Sequence, residues 1–216
     1  VATAYPGTPS TEVLEEIAKF GGKINCEWSV NEKVAMEIAI GASIAGARAL
    51  ASMKHVGLNV AMDPMMTYTY VGTHGGLVVI SADDPSLHSS QNEQDNRNLV
   101  KFAKAAQFEP ADSQEAYDMT REAFELSERT GAIAFIRLTT RTAHTSSMVD
   151  LGEDFAFGDA PVREYVKNVR KNVAVPANAR GMRFEAEKRL AALVAESGKS
   201  PFNFAKYANT DIGIIT

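Results

Sequence analysis

The chain has 216 residues, 45% hydrophobic and 23% charged, with a formal net charge of −5. That length holds one well-buried domain with an extension, or two small ones. The acidic balance excludes the basic footprint of a nucleic-acid binder and the basic stripe of a membrane-surface protein. No apolar run approaches the roughly 18 residues needed to span a bilayer. A lone cysteine, Cys26, rules out an internal disulfide and any metal site built from this chain's thiolates alone, and it suits a reducing cytoplasm.

In chain order, short apolar runs alternate with helical patterns up to about residue 140. This is the signature of stacked βαβ units. Strands are expected at 1–4, 24–28, 49–53, 77–82, 106–109 and 133–138, and helices at 9–20, 31–46, 58–70, 97–103 and 113–129. The expected fold class is α/β, a parallel sheet flanked by helices with right-handed crossovers. Beyond 140 the chain turns polar and loses its period. Two helical patterns then follow, at 162–173 and 182–197, separated by Pro176-Ala177-Asn178. This part reads as a mainly helical connector with a solvated charged face. The expected partition is a domain over 1–145, a connector over 146–210, and the start of a following domain over 211–216. Val1-Ala2-Thr3-Ala4 and Asp211-Ile212-Gly213-Ile214-Ile215-Thr216 both read as pieces of strands, so a longer parent polypeptide is expected.

Four segments converge on the carboxyl ends of the expected strands, where ligands bind in open α/β sheets. The first is Tyr5-Pro6-Gly7-Thr8-Pro9-Ser10. Thr8 reads as an N-cap with Pro9 in the first helical position, and Gly21-Gly22 ends that helix. Gly7 permits close backbone approach, and the free N–H groups at the helix start suit a polar or anionic group. The second is Glu27-Trp28-Ser29-Val30-Asn31-Glu32-Lys33, which sets Glu32 in the first turn of an almost wholly apolar helix. That acid is either a charge favoured by the helix dipole or a functional carboxyl.

The third segment is Met53-Lys54-His55-Val56-Gly57-Leu58-Asn59. Its His55 can exchange protons near neutral pH and its Lys54 can pair with a carboxylate, or both are solvated turn residues. The fourth is the long polar stretch from Asp83-Asp84-Pro85 through His88-Ser89-Ser90-Gln91-Asn92-Glu93-Gln94-Asp95, of the length that is often functional. Asp83, Asp84 and His88 match no trusted metal-ligand spacing, so no metal is assigned to this chain. The small residues Ala39, Gly41, Ala42 and Ala45 read as close helix packing, within the chain or against a partner. No P-loop, no G-x-G-x-x-G opening a helix and no G-x-S-x-G elbow is present.

Taken together, these four segments resemble the α subunits of indolepyruvate ferredoxin oxidoreductases, which are thiamine-diphosphate-dependent 2-oxoacid oxidoreductases. The Tyr-Pro-x-Thr-Pro-Ser turn is shared more widely among 2-oxoacid:ferredoxin oxidoreductases. The Lys-His-Val-Gly-Leu-Asn and His-Ser-Ser-Gln-Asn-Glu-Gln-Asp runs point to the indolepyruvate branch. The resemblance implies the pyrimidine-binding domain of thiamine enzymes. It places Glu32 against N1′ of the cofactor's aminopyrimidine, so that the 4′-nitrogen can take the proton from the thiazolium C2. It further implies Pro6, Gly7 and Thr8 at the cofactor, His55 as a second catalytic group, and Thr8, Lys54, His55, His88 and Gln94 at the substrate.

The implied whole enzyme decarboxylates aryl 2-oxoacids oxidatively to acyl-CoA. It uses ferredoxin, coenzyme A, Mg²⁺ and iron–sulfur clusters, and it works as a homo-oligomer with a β subunit. The family's Gly-Asp-Gly motif for Mg²⁺ has only Gly158-Asp159-Ala160 as its nearest string, and no Cys-rich cluster region is present. The implied diphosphate side and clusters therefore lie in other domains, and this chain alone is expected to have no turnover. The alternatives are another thiamine-dependent 2-oxoacid enzyme, or a non-catalytic module that dimerises through the small-residue helix.

Overall fold

A computed structural model describes residues 1–152 and 165–207. The chain runs β1 (Ala2–Ala4), α1 (Thr11–Ala18), β2 (Cys26–Trp28), α2 (Glu32–Ile44), β3 (Ala49–Lys54), α3 (His55–Val60), α4 (Met62–Val71) and β4 (Leu77–Asp83). It continues through α5 (Asn96–Ala103), β5 (Ala106–Phe108), α6 (Ser113–Thr130), β6 (Ala134–Thr139), α7 (Thr140–Ala143), α8 (Val169–Asn172) and α9 (Pro176–Ser197). The expected 162–173 helix is present only as α8 among the described residues. The readings placed on 158–160 and 211–216 lie outside them.

The six strands form one parallel sheet in the order β2-β1-β3-β4-β6-β5. Its centre is buried on both faces, as parallel sheets require: every residue of β4 is buried. Ala51, Met53, Leu77, Val79 and Phe135 face α2, α3, α4 and α5. The alternate residues Leu50, Val78, Ile80 and Ile136 face α1 and α6. The result is a helix–sheet–helix sandwich. From β1 the chain goes outward to β2 and then crosses back to β3 on β1's other side. The ends of β1 and β3 therefore flank a topological switch point, the crevice that binds ligands in such sheets.

Three local readings are corrected by particular residues. The 58–70 helix is two helices broken at Ala61. Pro64 lacks an N–H and its ring clashes with the carbonyl four residues back, so it is tolerated only in a first turn. Thr8 and Pro9 do not start α1. Gly7 O accepts from Ser10 N and Ser10 Oγ, at 2.8 and 2.7 Å, and Gly7 N donates to Thr11 Oγ1 at 2.9 Å. This closed turn delays the helix, with Ser10 as its N-cap. Pro176-Ala177-Asn178 opens α9 rather than separating two helices, with Pro176 in the first helical position where its missing N–H costs nothing.

Buried polar pins fix the helices to the sheet. Thr3 Oγ1 donates to Ala35 O at 2.8 Å, tying β1 to the first turn of α2. Tyr68 donates to Ser43 Oγ at 2.9 Å, and Ser43 donates in turn to Gly75 O. A Cβ on Gly75 would meet the Ala47 carbonyl oxygen at 2.1 Å, so this crossing admits only glycine. In α2, Ala39 packs into the core while Gly41 and Ala45 face outward, with open space beside Gly41. The connector is more than a solvated face. Lys104 pairs with Glu187 at 2.7 Å, and Arg129 with Glu196 at 3.0 Å, holding α9 across α5 and α6.

Candidate functional site

Strand ends and helix starts bring the expected residues to the carboxyl edge of the sheet. After β2, Asn31 caps α2 by accepting from Val34 N at 3.0 Å. That cap starts the helix one residue before Glu32 and fixes Glu32 in its first turn. Glu32 is half-buried, and among the described residues its carboxylate makes no hydrogen bond or ion pair. It rests on α3, where a Cβ built on Gly57 would lie 2.4 Å from Glu32 Oε1.

At the switch point the β1 turn meets the end of β3. A Cβ on Gly7 would lie 3.2 Å from Lys54 Cβ, so glycine lets these two segments close up. Lys54 Nζ donates to Ser89 O at 2.9 Å, and Ser89 Oγ donates to Thr8 O at 3.3 Å. The loop at 84–95 is thus stitched to both segments. Pro6 and Thr8 are exposed beside it.

His55 is fully buried. Its Nε2 lies 3.0 Å from Asn92 O, and since a carbonyl only accepts, Nε2 carries the proton. Gln94 accepts from Asn59 Nδ2 at 2.9 Å and donates to Asn92 Oδ1 at 3.0 Å. His88 has an exposed side chain and is held by its backbone N–H to Asp84. Glu32, Gly7, Thr8, Lys54 and Gln94 therefore share one rim. His55 supports that rim from beneath, and the His88 side chain extends from it into solvent.

Asp83 and Asp84 are the residues whose work sequence reasoning missed. Both are fully buried, and the strand's alternation sends them opposite ways. Asp83 accepts from Arg137 Nε at 2.7 Å and from Asn96 N at 3.2 Å, and Arg137 also pairs with Glu109. Burial pushes the Asp83 carboxyl up, against the pull of Arg137. Asp84 accepts from Ser90 Oγ and Thr140 Oγ1, each at 2.6 Å, and from the N–H groups of Ser89 and His88 at 2.7 and 3.2 Å. Desolvation works upward there too, but these donors outweigh it and hold Asp84 well below the usual carboxylate range. Asp83 Oδ2 and both Asp84 oxygens are taken up by protein donors, and no group of three His, Cys, Asp or Glu suited to a metal occurs among the described residues.

A second cleft, of about 840 Å³, lies at the amino edge against α9. Two of its cations, Arg189 and Lys171, are already engaged. Arg189 donates to Thr69 O and Tyr70 O, at 2.7 and 2.8 Å, capping the carboxyl end of α4. Lys171 reaches Thr73 O at 3.5 Å. The carboxyl edge differs, because Glu32 there is an acid with no partner among the described residues.

Residues 1–189 match the family model described as pyruvate flavodoxin/ferredoxin oxidoreductase, thiamine diP-bdg. Two curated relatives, both named indolepyruvate oxidoreductase subunit IorA, come from Pyrococcus abyssi and Pyrococcus horikoshii. They are 44% and 45% identical over the whole of this chain. The chain spans about a third of their length, 34% in each case. Among solved structures, 2-oxoglutarate:ferredoxin oxidoreductase from Magnetococcus marinus superposes with a TM-score of 0.65 at 15% identity. That match covers 90% of this chain and 41% of the other. Benzoylformate decarboxylase from Polynucleobacter necessarius gives 0.52 at 17% identity, over 72% of this chain and 30% of the other. These two likenesses are of fold. By its sequence, this chain belongs to the thiamine-diphosphate-binding pyruvate flavodoxin/ferredoxin oxidoreductase family.

Proposed function

We propose that this chain supplies the aminopyrimidine side of the thiamine diphosphate site in an aryl-2-oxoacid:ferredoxin oxidoreductase, with indolepyruvate as the substrate type. The observation that carries the reading is Glu32, an acid at the carboxyl edge that is half-buried and without a partner among the described residues. A carboxyl so placed fits a ring nitrogen approaching from the cleft. The cofactor, when bound, supplies the carbon nucleophile that attacks the keto group and holds the electrons left by decarboxylation. Glu32 holds a proton at the pyrimidine edge. Gly7 and Thr8 border the cofactor with Pro6 beside them, and Lys54, Gln94 and His88 line the approach of the 2-oxoacid. His55, buried beneath that rim, positions the loop that forms the approach through its contact with Asn92 O.

In this reading 1–145 is the pyrimidine-binding domain, 146–210 a connector, and 211–216 the start of the next domain. Mg²⁺ and the diphosphate are held by another domain, and the iron–sulfur clusters by regions outside this chain. Coenzyme A takes the acyl group and ferredoxin the electrons, in a cytoplasmic assembly with a β subunit and further copies. The identity to the IorA relatives over the whole chain supports the indolepyruvate assignment. The test is turnover of indolepyruvate by the complete subunit and its partner carrying Glu32→Gln. A fall of about 10²–10⁴, the range for a positioned acid–base group, is expected with no change in melting temperature. Turnover within about threefold of the parent would refute the assignment of Glu32 as the acid.

A further inference from the structure

Gly57 stands in a helix, where glycine is among the least favoured residues. Its backbone gives no reason for it, because Gly57 is not among the residues with positive φ. The reason lies across the site. A Cβ built on Gly57 would sit 2.4 Å from Glu32 Oε1, 2.6 Å from Cγ and 2.7 Å from Cδ. All three nearest atoms belong to one side chain. These separations are far inside van der Waals contact, so a methyl group and the present Glu32 carboxylate exclude each other.

From this geometry we infer that Gly57 is a positioning residue for Glu32, setting how deep the carboxylate sits and therefore where it meets its ligand. The inference rests on the cofactor-site reading of Glu32. It concerns two segments remote in sequence, brought together because β2 and β3 flank β1. Asn31 fixes the backbone of Glu32, but among the described residues no hydrogen bond fixes its carboxylate. The bare Cα of Gly57 is the surface on which that carboxylate rests. With alanine there, Glu32 must swing outward, and a hydrogen bond to a rigid ring weakens steeply with such a displacement.

A double-mutant cycle in the complete subunit with its partner tests this, read by calorimetric titration with thiamine diphosphate and Mg²⁺. Gly57→Ala alone is expected to weaken cofactor binding at least about tenfold. In a Glu32→Ala background, where no carboxylate remains to be displaced, the same change is expected to cost less than about threefold. Deuterium exchange at the cofactor's C2 should show the same coupling. Equal losses in both backgrounds, or no loss in either, would overturn the inference. If Glu32→Ala itself changes neither binding nor exchange, the site reading fails, and this inference with it. Should Gly57→Ala alone not fold, recovery of folding in the double variant reads the same coupling, and failure of both to fold overturns it.

Discussion

The Nε2 of His55 lies 3.0 Å from the main-chain oxygen of Asn92, so a fully buried imidazole at the start of α3 anchors the loop that borders the site. Among the described residues His55 Nδ1 has no hydrogen-bond partner, and neither has Asp83 Oδ1 or Asn96 Oδ1 close behind it in the fold. Buried polar atoms of this kind are usually met by ordered water. The His55→Ala variant is expected to speed amide hydrogen exchange at residues 89–93 by about tenfold or more, through easier local opening. Unchanged exchange there would show that Lys54 and Gln94 hold the loop without His55.

Arg137 is the partner that makes a buried Asp83 tolerable, with Nε 2.7 Å from Oδ2 and both side chains nearly inaccessible. Removing it as Arg137→Met leaves a carboxylate that burial already pushes up. Breaking a buried pair from one side costs about 3–5 kcal/mol. The double variant Asp83→Asn/Arg137→Met should recover much of that loss in urea unfolding, since no buried charge is left unpaired and Glu109, the other partner of Arg137, faces solvent.

Asp84 works in the opposite sense. Its folded-state ionisation lies below the ordinary carboxylate value of 3.8 because hydroxyls and N–H groups outweigh desolvation. A depressed carboxylate stabilises the fold above its unfolded pKa and loses that contribution as pH falls through and below it. The urea midpoint of the parent is expected to drop steeply below about pH 4, while Asp84→Asn starts lower and shows a flatter acid limb. Parallel limbs would contradict the role given to Asp84 in holding residues 88–90.

Tyr68 sets an alkaline limit. Burial pushes its phenol from 10.0 up to about 12. The folded state keeps the proton that the unfolded chain releases, so stability is full below pH 10 and falls as pH rises toward 12. Tyr68→Phe should cost about 1 kcal/mol at neutral pH, the worth of a typical hydrogen bond, and should lessen the alkaline decline. Urea unfolding from pH 7 to 11 measures both.

Much of this was legible in the chain itself. Apolar runs at 77–82 and 49–53, each broken only by one serine, locate β4 and β3 to within a residue, because strands buried on both faces are apolar nearly throughout. Glu32 and Lys54 are legible as polar residues just past such runs. Where the reading failed, single residues decided: Pro64 split a helix that periodicity had joined, and Pro176 opened one where a break was expected. The role of Gly57 was hidden because its neighbour is 25 positions away and depends on strand order. Asp83 and Asp84 look alike in sequence, and only the pleat of β4, turning one toward Arg137 and the other toward Ser90, separates their roles.

The proposed role of the Glu32 carboxyl is to activate the cofactor through its pyrimidine edge. The most direct measurement is the rate of hydrogen–deuterium exchange at C2 of thiamine diphosphate bound to the complete enzyme, parent against Glu32→Gln. Exchange in the variant is expected to be slower by about 10²–10⁴, the contribution of a positioned acid–base group. Equal rates, with the cofactor bound in both, would contradict it.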